Sequence, residues 1–362
     1  VRDYLTERLK LSHRLEGIVN ALGDEIQEVL NDALERTSGK IVALMAKAQK
    51  AKGVLKRKKF LEQQKAEIQK VLREIFPKVS ETIMDRTADL AIATPGIIKN
   101  MTEKCFGEEI AIGLGVPKLT KKQVLSWFEG LSIEGAYFPE WMKTIEENAR
   151  KRITVAARRG LVMDEPVSKI ARELQQALNI SRNSSQGLAH TAMFQMLNDT
   201  EYEMHSENSR CKGFQFVAML DRKTTPQCVG LDGQTFNVEE AQNHKPPLHW
   251  KCRSMLLSIY IEGVQYDRRA ILDTKPRTVT RRDGSTYTKY EKQETMKVPG
   301  GTTYNQWMQS MVTSKNPRDV SFAKESLGPK RFDLVASRKL TVDKLTYDGK
   351  LRTVKELERL SS

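Results

Sequence analysis

From Leu11 the apolar residues fall at Leu11, Leu15, Ile18, Leu22, Ile26, Val29 and Ala33, in steps of three and four. That spacing predicts a long helix with one apolar seam, suited to a coiled coil or a bundle. Thr37, Ser38 and Gly39 are expected to break it, and a second helix from about Lys40 presents Ile41, Leu44 and Met45 on one face. The seam resumes at Leu61, Ile68, Leu72 and Ile75, where Pro77 is expected to stop it because proline lacks the helical donor. Ser80 is placed to cap a further helix through Ile83, Thr87, Leu90 and Ala91, ending near Thr94-Pro95-Gly96. Thr120-x-x-Gln123 reads as a capping box that opens a helix through Leu125, Trp127 and Phe128. Another helix spans Phe138 to Arg159. Asp164 and Pro166 start a short one that breaks after Leu178, and Ser184 and Ser185 open the next, LAHTAMFQMLNDTEYEMHS.

Beyond that helix the period changes. Phe214–Leu220 and Met255–Tyr260 are short, rich in aromatic and branched residues and bounded by turn formers, which predicts two strands. Between them lies C-x20-H-x2-C, formed by Cys228, His249 and Cys252, and pairing of the strands would draw that long spacing together. Asp232-Gly233 suits a hairpin turn, since glycine accepts positive φ. Pro246-Pro247 is expected to hold the approach to His249 extended. Two thiolates and an imidazole suit a structural Zn²⁺, for which Cys211, His244, Asp221 or Asp232 is the candidate fourth ligand. The alternatives are a packed thiol–imidazole cluster without metal, or a Cys228–Cys252 disulfide formed outside the cell. Asp221 and Arg253, one at each end of the motif, are candidates to pair across it or to serve only as turn and strand-end groups.

These residues resemble the phage Mu protein F-like head-morphogenesis family, the minor head proteins of tailed phages. The resemblance is carried by Asp221, Thr224, Pro226, Cys228, Leu231, Asp232, Gly233, Pro246, Pro247, His249, Cys252 and Arg253. Two positions depart from the fullest pattern: Thr225 and Ser254 stand where many members have cysteine. In the preceding helix His190-Thr191-Ala192 replaces the usual Arg-Thr-Glu. A second resemblance, to the tail that follows this domain in many members, rests on Tyr304, Trp307, Leu327, Gly328, Arg331, Leu334 and Leu340, with Tyr304 and Trp307 expected to anchor the tail on the motif domain. Together the two cover roughly residues 180 to 358, and no family motif stands out in the first half.

Charge adds a partner. The net charge of +14 predicts attraction to a polyanion or an acidic protein surface, unless the lysines merely solvate helix faces. The densest positive runs are Lys56, Arg57, Lys58 and Lys59, and Arg150, Lys151 and Arg152 with Arg158 and Arg159. Without interleaved aromatics, any nucleic-acid contact there would be to phosphates and independent of sequence. Four cysteines in 362 residues exclude a disulfide scaffold. No apolar run reaches the length of a membrane span, and Val1-Arg2-Asp3 leads into a charged helical pattern with no secretory signature.

The expected fold is α+β, mostly α: a long N-terminal helical or coiled region, then a small α+β Mu F-like domain and a C-terminal tail. The expected divisions are 1–78 (helical hairpin or coil), 79–180 (helical), 181–265 (motif domain), 266–300 (polar β-hairpin arm or disordered insertion) and 301–362 (tail). The resemblance implies a non-enzymatic minor head protein, placed inside the capsid near the portal after assembly in the host cytoplasm. Its implied partners are portal and capsid or scaffold proteins, and double-stranded DNA bound non-specifically. The alternative is a metal-dependent enzyme or effector acting on nucleic acid, such as a zinc hydrolase using an open coordination position.

Overall fold

The computed structural model describes the chain apart from residues 1–3, 51–53, 164–166, 262–267, 273–276, 281–285, 290–293 and 362. Two long helices, α1 (Tyr4–Lys50) and α2 (Val54–Phe106), run antiparallel. The pairs Glu25–Arg86, Arg36–Glu74 and Lys40–Glu67 form rungs between them. The breaks expected at Thr37-Ser38-Gly39 and Pro77 do not occur, and Pro95 is also inside α2. The reason is the seam. Ile26, Leu30, Ile68 and Ile75 are each 0% exposed, and burying such a side chain is worth about 1.5–3 kcal/mol. An interior glycine costs only ~1 kcal/mol and a proline ~3 kcal/mol, so continuous packing outweighs the local breakers.

Next come α3 (Glu108–Ile112), α4 (Lys121–Gly130), a short hairpin of β1 (Ser132–Ile133) and β2 (Ala136–Tyr137), α5 (Phe138–Val162) and α6 (Val167–Ser206). Thr120 caps α4 through the predicted box. The stop after Leu178 and the restart at Ser184-Ser185 are absent. Ser181 and Ser184 instead donate back to the carbonyls of Ala177 and Ile180, at 3.0 and 3.1 Å, which satisfies their hydroxyls without ending the helix. Residues 78 and 180, expected as boundaries, therefore lie inside α2 and α6. Antiparallel to α1, α6 is fixed by Arg182 to the Gly23 carbonyl and Asp24, and by Gln186 to the Val19 carbonyl.

A three-stranded antiparallel sheet follows in the order β4-β3-β5, from β3 (Gly213–Val217), β4 (Thr235–Phe236) and β5 (Met255–Ile259). Phe214 is opposite both Phe236 and Ser258, and Val217 is opposite Met255. Period-two alternation assigns the faces. Val217, Met219, Met255 and Leu257 pack on Tyr4, Leu5, Met101 and Cys105 of the long helices. Phe214, Phe216, Ala218 and Leu256 face the other way, with Cys228, Ala241 and Cys252. Between β3 and β4 the chain forms α7 (Pro226–Leu231), and α8 (Val238–Ala241) follows β4. Asp232-Gly233 accordingly closes a helix rather than a two-residue hairpin, although Gly233 does take the positive φ, 85°. The Pro246–Pro247 peptide is cis rather than part of an extended run.

The stretch expected as an arm or insertion forms nested antiparallel pairs: β6 (Arg268–Leu272) with β9 (Glu294–Val298), and β7 (Arg277–Thr280) with β8 (Thr286–Lys289). The Asp283-Gly284 turn lies outside the described residues. The tail comprises α9 (Tyr304–Val312), α10 (Pro317–Leu327), α11 (Pro329–Ala336), the short pair β10 (Thr346–Tyr347) and β11 (Lys350–Leu351), and α12 (Val354–Ser361). Its core, centred on Trp307, Met308, Phe322 and Val335, also takes in Leu220 and Val229 of the motif domain. The fold is thus mostly α within an α+β class. Among the described residues, no helix is long and apolar enough to cross a membrane.

Candidate metal centre

Antiparallel pairing of β3 with β5 sets the two ends of the motif side by side. Asp221 lies just past β3 and Arg253 just before β5, and they form a two-pronged ion pair: Arg253 Nη1 donates to Asp221 Oδ2 at 2.5 Å and Nη2 to Oδ1 at 2.9 Å. Asp221 Oδ1 also accepts from the backbone N–H groups of Lys223 and Thr224, at 2.9 and 3.1 Å. Burial works against the Arg253 charge, but Asp221 outweighs it and raises the guanidinium pKa. Asp232 is committed in a similar way. Its carboxylate accepts from the backbone N–H of Ala218 at 2.7 Å and of Tyr304 at 2.6 Å, while the Tyr304 hydroxyl donates to the Asp221 carbonyl at 3.0 Å. Both acids therefore bind the tail and motif loop together, and Trp307, 1% exposed, packs edge-on against Tyr304.

Pro226 at the first turn of α7 starts the helix that carries Cys228 inward. The loop before β5 brings His249 and Cys252 to it. Cys228 Sγ is 3.2 Å from His249 Nε2 and 3.7 Å from Cys252 Sγ, and all three ligand atoms lie within 4.8 Å of one another. Tetrahedral Zn²⁺ with its usual bond lengths would place two sulfurs ~3.8 Å apart, and a sulfur and a nitrogen ~3.6 Å apart. The three residues fit that ion. His249 Nδ1 is 3.0 Å from the Trp250 carbonyl, so a proton on Nδ1 leaves the Nε2 lone pair facing the sulfurs, the usual outer support of a metal-binding imidazole.

The loop itself is clamped from three sides. The Trp250 N–H donates to Glu134 at 2.7 Å, and its indole packs at a tilt against Trp141, with ring centroids 5.0 Å apart. The Lys251 N–H donates to Thr191 Oγ1 at 3.0 Å. Gly187 permits this approach, because a Cβ there would stand 2.7 Å from both Trp250 Nε1 and Lys251 Cε. Thr191, the one residue of the Arg-Thr-Glu triplet found in this chain, thus holds the loop through its hydroxyl.

Electrostatics single out one thiol. Cys252 is held well below the ordinary thiol pKa, because the Cys228 thiol and the His249 ring both stabilise its thiolate despite burial. Cys228 is pushed up, first by its hydrogen bond to Cys252 and then by burial. Burial opposes charge on His249, but Cys252 and the Trp250 carbonyl outweigh it and raise the ring. The four cysteines are free thiols.

None of the four expected fourth ligands joins the cluster among the described residues. Asp221 and Asp232 are bound as above. His244 stacks on Phe236 at 4.1 Å, and the Cys211 thiol donates to the Gly213 carbonyl at 3.5 Å. The residues beside Cys228 are instead Ser254 and Thr225, the two positions where the fuller pattern has cysteine. Thr225 Oγ1 is buried without a well-formed hydrogen bond. A cavity of about 10 Å³, lined in part by Cys228, His249 and Ser254, has room for one small ion or water. Replacing Ser254 by cysteine is expected to supply a fourth thiolate and tighten zinc binding about tenfold or more in chelator competition; unchanged affinity would show that position 254 does not reach the ion.

His190, 9% exposed, stacks on Phe194 at 4.4 Å, and its Nδ1 is buried with no hydrogen-bond partner among the described residues. Burial, then Arg253 and Lys251, lower its pKa to about 4. The unfolded chain therefore binds more protons than the folded one between roughly pH 6.5 and 4, and stability present above that window is lost as pH falls through it. The contribution is on the order of 3 kcal/mol. Replacing His190 by Phe should leave stability at pH 7.5 unchanged or higher and flatten its decline toward pH 4.5 in urea titrations.

Of the basic candidates, Lys151, Arg152, Arg158 and Arg159 are exposed on α5, Arg150 is half-buried, and Arg159 pairs with Glu173. Lys59 is exposed on α2; the side chains of Lys56, Arg57 and Lys58 lie outside the described residues.

Residues 151–257 match the family model of the Phage Mu protein F like protein. The matched stretch begins inside α5 and ends inside β5, so it holds α6 and every residue of the cluster, while α1–α4 and the tail lie outside it. No curated protein and no solved structure matches the chain.

Proposed function

We propose that this chain is a structural minor head protein of a tailed bacteriophage, acting in head morphogenesis beside the portal inside the capsid and touching the packaged DNA. The observation that carries the reading is the family match over the segment that holds the cluster. On this reading Zn²⁺ is structural. Cys228 and Cys252 are each 1% exposed, so an ion between them sits behind protein rather than open to a substrate, and Cys228, His249 and Cys252 staple α7 to the loop before β5. The chain then works without catalysis. Its partners are the portal, capsid or scaffold proteins and double-stranded DNA, in the host cytoplasm during assembly and in the virion afterwards.

The DNA contact is supported by charge placement. Residues 40–67, at the facing ends of α1 and α2, carry nine lysines and arginines against two acidic residues. Lysines that neutralise phosphates release counterions and give affinity without sequence preference. Alanine at Lys56, Arg57, Lys58 and Lys59 together should weaken duplex binding and flatten the slope of log K against log salt by about 3–4; an unchanged slope would move the contact elsewhere. The structural reading itself is tested by complementing a phage that lacks the gene with the Cys228→Ser/Cys252→Ser chain. Defective or uninfectious heads are expected, and normal infectivity would contradict it.

A further inference from the structure

Structural zinc takes four ligands, and Cys228, His249 and Cys252 supply three of them. Asp221, Asp232, His244 and Cys211, the side chains that could complete the set, are each held elsewhere. What adjoins the cluster instead is a pair of hydroxyls. Ser254, 3% exposed, and Thr225 both lie beside Cys228. Thr225 stands at the N-cap of α7, where a threonine hydroxyl ordinarily accepts from a backbone N–H of the first turn. Here it caps nothing, and its Oγ1 is buried with no hydrogen-bond partner among the described residues. A buried hydroxyl in that condition costs about 1–3 kcal/mol, so a polar ligand within its reach would be stabilised. The cavity of about 10 Å³ at Cys228, His249 and Ser254, lined also by Lys251 and Arg253, is the size of one water molecule.

We infer that the fourth ligand of the zinc is a single enclosed water molecule, oriented by the hydroxyls of Ser254 and Thr225. The inference rests on the reading of the cluster as a zinc centre. A metal-bound water keeps two O–H donors, and each hydroxyl offers a lone pair to accept one. Ser254 and Thr225 are thus positioning residues, and outer partners of that kind change metal affinity by about 10–100-fold when replaced. A cavity filled by one water has no room for a substrate beside it. That sets this centre apart from a hydrolytic one, in which the metal-bound water must meet its target.

The test is cobalt substitution of the full chain in halide-free buffer, because Co²⁺ can stand in for zinc and makes its ligands visible. Thiolate charge-transfer absorbance counts the sulfurs, and water enriched in the magnetic oxygen isotope broadens the cobalt paramagnetic resonance only where solvent is bound to the metal. The wild-type chain should show the absorbance of two thiolates and a broadened resonance. Thr225→Val, of similar shape, should bind cobalt about tenfold or more weakly with that absorbance unchanged. Ser254→Cys should raise the absorbance by about half, from two thiolates to three, and remove the broadening. An unbroadened resonance from a wild-type chain that shows two thiolates would overturn the inference and leave the zinc reading standing. Broadening that survives in Ser254→Cys, or unchanged cobalt affinity in Thr225→Val, would also overturn it, by placing the solvent away from these hydroxyls. A wild-type chain that takes up no cobalt would overturn the zinc reading and this inference together.

Discussion

Exchanging Arg8 for methionine should lower the unfolding free energy by about 3–5 kcal/mol, the usual cost of stranding one member of a buried ion pair. Arg8 is 0% exposed and Glu201 1%. Arg8 Nε donates to Glu201 Oε2 at 2.5 Å, Nη1 to Ser12 Oγ at 2.8 Å and Nη2 to Asn198 Oδ1 at 3.1 Å. The other Glu201 oxygen accepts from the Tyr4 hydroxyl at 2.9 Å. Tyr4 also meets His205 Nε2 at 2.9 Å, and His205 Nδ1 meets the Tyr260 hydroxyl at 2.7 Å. The network thus ties the start of α1 through α6 to the end of β5. Burial, then the Glu201 charge, holds the Tyr4 hydroxyl well above its ordinary pKa, so it stays a donor. Without Arg8, Glu201 is a buried charge with no counterion. Arg8→Met combined with Glu201→Leu should recover most of the loss, because an apolar pair of similar volume needs no counterion. Urea titration of the wild type, both single variants and the double variant checks this; a double variant as unstable as the sum of the singles would show that shape, not charge pairing, governs the site.

The second large effect concerns the metal. The purified chain is expected to carry about one zinc, and Cys228→Ser to carry almost none. With free zinc a thousandfold above its dissociation constant, binding contributes about 4 kcal/mol to the folded state, so Cys228→Ser or exhaustive chelation should cost about that much. The loss should fall on the motif domain: amide exchange is expected to accelerate in α7 and the loop before β5, and to change little in the α1–α2 hairpin. A chain that binds no zinc, or one whose stability is indifferent to chelation, would leave Cys228, His249 and Cys252 as a hydrogen-bonded cluster only.

How much of this was legible in the sequence depends on the range of the interactions. The apolar seams of α1 and α2 were, because they are periodic. Their supposed breaks at Gly39 and Pro77 were misread, since burial of Leu30 and Ile75 across the hairpin cannot be seen in a local window. Cys228, His249 and Cys252 could be grouped because two plain strands bracket them. Their surroundings could not, because Asp221 and Asp232 look like metal ligands until Arg253 and the Tyr304 backbone are seen to hold them. Two short helices were missed despite local signals: Thr225-Pro226 ahead of α7, and the capping box Asn237-x-x-Glu240 at α8. The Arg8–Glu201 pair left no trace at all. Its members are 193 positions apart, and an arginine within a helical pattern reads as a solvated face.

The role proposed for this chain is that of a component of the phage head. Its most direct test is quantitative mass spectrometry of purified virions of the phage that encodes it, counting the chain against portal and major capsid protein. The chain is expected there in low copy, from a few molecules up to about one portal ring's worth. Its absence from mature virions and from assembling heads alike would contradict that role.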